Sequence, residues 1–162
     1  MESDEKASAP VTQESGEITL RLEEFLPYRL SLASNTISGG IATLYAERFN
    51  LTIPEWRIMA ILGRFHGLSA REVAERTAMD KVAVSRALKR LQQTGHVDRR
   101  VSPEDRRRSV LSLTPGGRVI YNQVAPMALD YERRLLDGLS PEQRQSLNEL
   151  LDRLMQRALK MK

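Results

Sequence analysis

LSAREVAERTAMDKVAVSRALKRLQQTGHVDRRVSPEDRRRSVLSLT, residues 68–114, carries the signals of two short helices, a tight turn between them and a basic two-stranded ribbon. Ser69 and Glu72 stand in the S-x-x-E spacing of a capping box, and Leu68 and Val73 hold the two positions of a hydrophobic staple. This helix is expected to stop near Thr77, because Asp80 offers a second cap with its carboxylate at the positive end of the next helix. Two caps so close together suit a helix-turn-helix. In the second helix Val84, Ala87, Leu88 and Leu91 recur at i, i+3, i+4 and i+7, so one stripe faces the first helix. The opposite side carries Lys81, Ser85, Lys89 and Gln92, flanked by Arg86, Arg90 and Gln93.

Gly95 is a natural stop for that helix. Beyond it, residues 97–101 and 108–113 read as two strands around a turn at Ser102-Pro103-Glu104-Asp105, with Leu111 and Leu113 pointing inward. Arg106, Arg107 and Arg108 then lie at or near the tip. Residues 81–108 hold nine Lys and Arg against three Asp and Glu, so the remaining sixteen basic and eighteen acidic residues leave the rest of the chain slightly negative. Positive charge is therefore concentrated on this stretch. A basic helix and a narrow arginine-tipped ribbon fit duplex DNA, the helix in the major groove and the loop along phosphates or in the minor groove.

The stretch resembles the winged helix-turn-helix of the MarR family of bacterial transcriptional regulators. Its most specific piece is Asp105-Arg106-Arg107 followed by Leu111-Ser112-Leu113-Thr114, which matches the family's D-x-R and terminal L-T spacing. The likeness extends over roughly residues 26–158. It implies that Arg107 reaches the minor groove, that Asp105 orients it, that residues around Lys81, Ser85 and Arg86 meet the major groove, and that the protein is a homodimer. The candidate DNA contacts are Ser69, Lys81, Ala83, Ser85, Arg86, Lys89, Arg90, Asp105, Arg106, Arg107 and Arg108.

The 162-residue chain has one domain's length and no cysteine, which excludes disulfides, cysteine-built zinc sites and thiol-based sensing. No apolar run approaches the roughly 20 residues of a membrane span, and the polar, acidic start does not resemble a signal peptide. A cytoplasmic protein without a membrane partner is expected. His66 and His96 are the only histidines; neither has a metal-ligand spacing, and no nucleophile elbow or phosphate loop appears. Neither an enzyme nor a cofactor is expected.

Residues 1–16 lack periodicity and read as a disordered tail. Residues 17–50 form the next segment, with a long helix expected over 26–49 in which Gly39-Gly40 calls for close packing against another helix. Residues 51–114 make the winged domain, opening with a helix capped by Thr52 and running to about Phe65, with Trp56, Ile58, Met59 and Leu62 on its inner side. Residues 115–162 give two further helices, one begun by Thr114-Pro115 and running to about Asp137 with a bend at Pro126, the other begun by Ser140-Pro141-Glu142-Gln143. The fold class is thus mainly α with a small β-hairpin wing and terminal helices for dimerisation. Apolar faces at both ends of the chain are expected to meet a second copy.

The sequence favours a repressor that binds a near-palindromic operator as a dimer and is released by a small ligand. Tyr28, Arg29, Ser34 and Asn35 from the first long helix, with Trp56 and Met59 from the next, are the candidate ligand residues: an aromatic wall, a cation and two polar groups. Two segments, FLPYRLS and LYAERFNLTIPEWR, are similar to MarR members that govern breakdown of aromatic acids, which implies an aromatic acid or its coenzyme A ester as effector. Rival readings are a sequence-indifferent architectural DNA-binding protein and a protein-interaction module whose basic face meets an acidic partner.

Overall fold

The computed structural model describes residues 11–14, 17–101 and 109–161. Most of the expected tail, and the wing-tip residues Asp105, Arg106, Arg107 and Arg108, lie outside the described residues. Strands β1 (Val11–Glu14) and β2 (Glu17–Leu20) pair antiparallel ahead of α1 (Leu26–Ala42) and α2 (Ala46–Phe49). The β1 pairing departs from the disorder expected up to Gly16; the two strands hold the β-branched residues Val11, Thr12, Ile18 and Thr19, which favour a paired, extended backbone.

A second departure lies in the long helix expected over 26–49, which is interrupted by a turn at Thr43-Leu44-Tyr45. The Thr43 hydroxyl bonds back to the Gly40 carbonyl at 2.7 Å, offering the backbone an alternative to helical continuation. Gly40 itself is the close-packing point that the double glycine called for: a Cβ there would overlap the ring of Tyr131.

Helix α3 (Ile53–Arg64) begins at a capping box between Thr52 and Glu55. Helices α4 (Ala70–Thr77) and α5 (Lys81–Gln93) follow, then the hairpin β3 (Val97–Val101) and β4 (Ser109–Leu113), and finally α6 (Pro115–Leu135) and α7 (Pro141–Lys160). The hairpin pairs Val97 with Leu113 and Arg99 with Leu111, and Leu111 donates its N–H to the Leu68 carbonyl at 2.8 Å. Pro126 lies inside α6, which continues on both sides of it and ends slightly earlier than expected.

One core joins these elements. Val73, Val84, Leu88, Leu91, Val97 and Leu111 fill the helix-turn-helix and wing side, and Ile58, Met59, Leu62 and Val124 continue it toward α6. Helix α6 is anchored at its start: Thr114 donates its N–H to the His96 carbonyl at 3.0 Å and its hydroxyl to the Gly95 carbonyl at 2.6 Å. Gly117 rests against that same His96 carbonyl, where a Cβ would clash with backbone. The long helix after the wing is thereby fixed to the end of α5.

Tyr45 is the buried residue whose titration matters. Burial pushes its hydroxyl up to about 12 from the ordinary 10, against a lowering pull from Arg57. The folded pKa lies above the unfolded one, so this contribution is complete below pH 10 and is lost as pH rises through about 12. Urea midpoints at pH 9 and pH 11.5 should therefore fall more steeply for the natural chain than for Tyr45→Phe; parallel falls would remove Tyr45 as the cause.

Candidate nucleic-acid interface

Local chemistry starts and stops the two helices of the motif where the sequence placed them. The Ser69 hydroxyl accepts from the Glu72 N–H at 3.3 Å, and the Glu72 carboxylate accepts from the Ser69 N–H at 2.8 Å. Ser69 is thus engaged in capping. The Asp80 carboxylate accepts from the N–H groups of Val82 and Ala83 at 2.9 and 2.8 Å, giving α5 a charged cap. Between the helices Ala78 adopts a left-handed conformation, φ 52°.

The inner stripe of α5 is buried as its spacing required, and Lys81, Ser85, Arg86, Lys89 and Gln92 are exposed. Among the described residues, Lys81, Arg86 and Lys89 have no ion-pair partner. One flank of the helix opens on a groove of about 400 Å³ lined by Lys81, Ser85, Lys89 and Gln92 of α5, Arg71 of α4 and Arg99 of β3. On the other flank Ala83 and Arg86 face Pro54 at the start of α3. Val82, 57% exposed, projects between these flanks. The first turn of α5 carries no acidic residue, although a cation at its positive end costs stability. Lys81 occupies that unfavourable position.

Arg90 is placed differently from its neighbours. Its Nε lies 3.2 Å from the Glu55 carboxylate, and its Nη2 donates to the backbone and side-chain oxygens of Asn50 at 3.2 and 3.1 Å. Glu55 is 2% exposed and also accepts the Thr52 N–H at 2.7 Å. Arg90 therefore ties α5 to α3 and the loop before it, while its side chain stays 42% exposed. The T-x-x-E spacing of Thr52 and Glu55 was the available signal for the acidic end of this link.

The wing contributes Arg99, which the sequence reading omitted. Strand alternation puts it on the same side as Val97, the side that turns to the groove. Arg100 instead pairs with Asp98 at 2.6 Å, and that hydrogen bond holds the Asp98 carboxyl below its ordinary range.

The six candidate ligand residues do not assemble into one site. Met59 is fully buried in the core, where helical spacing places it beside Leu62, while Tyr28, Arg29, Ser34 and Asn35 are exposed on the first half of α1. Trp56 lines a cavity of about 540 Å³ whose other walls come from the second half of α1, from α6 and from α7. Arg29 precedes Ile37, the nearest α1 residue of that wall, by eight positions, or about 12 Å along the helix axis. Tyr121 and Tyr131, absent from the sequence reading, complete the aromatic walls. The helical series Tyr121, Ala125, Ala128 and Glu132 marks that face, but nothing in it says which helix it meets.

Among the described residues no helix is long and apolar enough to cross a membrane, and no cluster of metal-ligating side chains is present. Residues 49–108 match the family model for the MarR family. The chain is 29% identical over 129 residues to the HTH-type transcriptional regulator TtmR of Methylorubrum extorquens, covering 74% of this chain but slightly under two thirds, 66%, of that protein. It is 28% identical over 106 residues to the homoprotocatechuate degradative operon repressor of Escherichia coli, covering 65% of this chain and 72% of that one. A MarR-family regulator from Silicibacter pomeroyi superimposes with a TM-score of 0.71 at 27% identity, over 83% of this chain and 90% of that structure. The capped helix pair, the hairpin wing and these likenesses agree: the chain is similar to transcriptional regulators of the MarR family, whose model residues 49–108 match.

Proposed function

We propose that this chain is a repressor that binds a near-palindromic DNA operator as a homodimer and lets go when a small molecule binds. The observation that carries the reading is the outer side of α5, where Lys81, Arg86 and Lys89 stand exposed and, among the described residues, without acidic partners around an exposed Val82. Such a surface offers cations to phosphates, donors to base edges and an apolar group of the kind a thymine methyl contacts. The Escherichia coli relative is a repressor by name, which supports that direction of control.

What α1 and α7 leave uncovered supports dimerisation. Neither helix buries a residue, and Leu150, Leu154, Met155 and Leu159 of α7 are each more than a third exposed. A second copy related by a two-fold axis would cover such faces and set two α5 helices about one DNA turn, roughly 34 Å, apart. A regulator of this kind works with the chromosome, in the cytoplasm, and needs no chemistry of its own.

Retardation of the chain's own promoter fragment, competed with random duplex, tests the proposal. A specificity ratio of about 10³ or more is expected; a ratio near one indicates sequence-indifferent binding, and no retardation at low salt favours an acidic protein partner. In the same assay Arg107→Ala should weaken operator binding and lower the salt slope by about one for each protomer on the DNA. An unchanged slope removes Arg107 from the contact.

Release requires that the effector bind two arrangements of the dimer with different affinity. The cavity beside Trp56 suits this, since its walls join the terminal helices to α3 of the head. The aromatic-acid or coenzyme A ester reading rests on the likeness of two segments to MarR members, and Arg29, the cation among the candidate ligand residues, does not line this cavity.

A further inference from the structure

We propose that the cavity between α1, α3, α6 and α7 selects a lipophilic cation, an aromatic ring system carrying an ammonium group, and discriminates against carboxylates. This rests on the reading of the chain as effector-responsive, and adds the chemical class of the effector. At about 540 Å³ the cavity is within the range that holds a drug-sized molecule. Trp56 and Tyr121 are stacked with ring centroids 6.1 Å apart, and Tyr131 supplies a third ring. Both tyrosines sit over glycines: a Cβ at Gly63 would overlap Tyr121, and one at Gly40 would overlap Tyr131. The aromatic walls are therefore held in place by close packing rather than left to swing.

Charge decides the class. Among the described residues Glu132 is the only charged one in the lining, and its carboxylate has neither an ion pair nor a hydrogen bond. The cations on neighbouring turns are occupied elsewhere. Arg118 donates to the Gly63 carbonyl at 2.8 Å and lies 5.3 Å from the Tyr121 ring centroid, and Arg57 donates to the Ser38 hydroxyl at 3.0 Å. Neither lines the cavity. A bound carboxylate would leave water for aromatic walls and a like charge, with no cation to receive it. An ammonium group would meet Glu132 and π-systems whose quadrupoles attract cations.

Calorimetric titration of the full chain with 4-biphenylmethylammonium and with 4-biphenylcarboxylate at pH 7 tests the proposal. The ammonium compound is expected to bind at least about tenfold more tightly, equivalent to about 1.4 kcal/mol. Glu132→Gln should bring the two within about twofold of each other, and Ala128→Trp, which fills the cavity, should abolish both. Equal or tighter binding of the carboxylate overturns the proposal, as does failure of both compounds to bind or a preference that survives Glu132→Gln. Operator retardation on the same preparations separates the two readings. Charge selection without operator binding defeats only the regulator, and operator binding without charge selection defeats only the cation.

Discussion

Leu111→Ala is expected to destabilise the chain by about 3 kcal/mol, because the leucine is fully buried and its removal leaves a cavity as well as lost apolar contact. For a chain of this size that is a fall of roughly 10 °C in melting temperature. The position does two jobs. Its backbone N–H stitches β4 to Leu68, immediately before the cap of α4, while its side chain fills the space between hairpin and helices. Truncation should therefore loosen the wing against the head, and operator affinity should fall with a reduced salt slope even at temperatures where the protein stays folded. Val101→Ala on the same hairpin, at a side chain 61% exposed, is the comparison and should shift stability by no more than about 0.5 kcal/mol. Equal melting temperatures for the two variants would refute the assignment of Leu111 as the wing's anchor.

The elements that could be read from the chain alone are those whose signals are local. Ser69 with Glu72, Asp80, Thr114 and Ser140 cap their helices in the structure through bonds between residues two or three apart, so their spacing carries the whole cause. The stripe Val84, Ala87, Leu88 and Leu91 likewise reports its own burial. What could not be read depends on residues brought together from afar. Arg90 is separated from Asn50 by 40 positions, and its neighbours on α5 give no hint that it reaches toward α3. Tyr121 and Tyr131 line a cavity because Gly63 and Gly40 admit them, a relation that crosses three helices. The turn at Ala78 shows the limit from the other side, since alanine carries no signal for the left-handed conformation that the motif imposes on it. Local causes fix where helices begin; tertiary packing fixes which exposed cations remain free for a ligand.

Double charge reversal on α5, Lys81→Glu with Lys89→Glu, is expected to have the largest effect on DNA binding without any loss of folding stability. Both side chains are exposed and line the same groove, so no core contact is lost. If each lysine neutralises one phosphate, the salt dependence should weaken by about 1.8 in slope for each protomer, about 3.6 for the dimer, and the introduced carboxylates add repulsion. Operator affinity should drop by about a hundredfold or more in low salt. Stability is expected to move in the opposite direction. The Lys81→Glu change would place a negative charge in the first turn of a helix that has no acidic residue there, a gain of about 0.3–1 kcal/mol in favour of the fold. A more stable protein that has lost its operator would show that Lys81 is kept at the positive end of α5 for what it contacts outside the chain. Undiminished operator affinity in the double variant would mean that α5 does not face the duplex, and the proposed repressor would have to bind, if at all, through another surface.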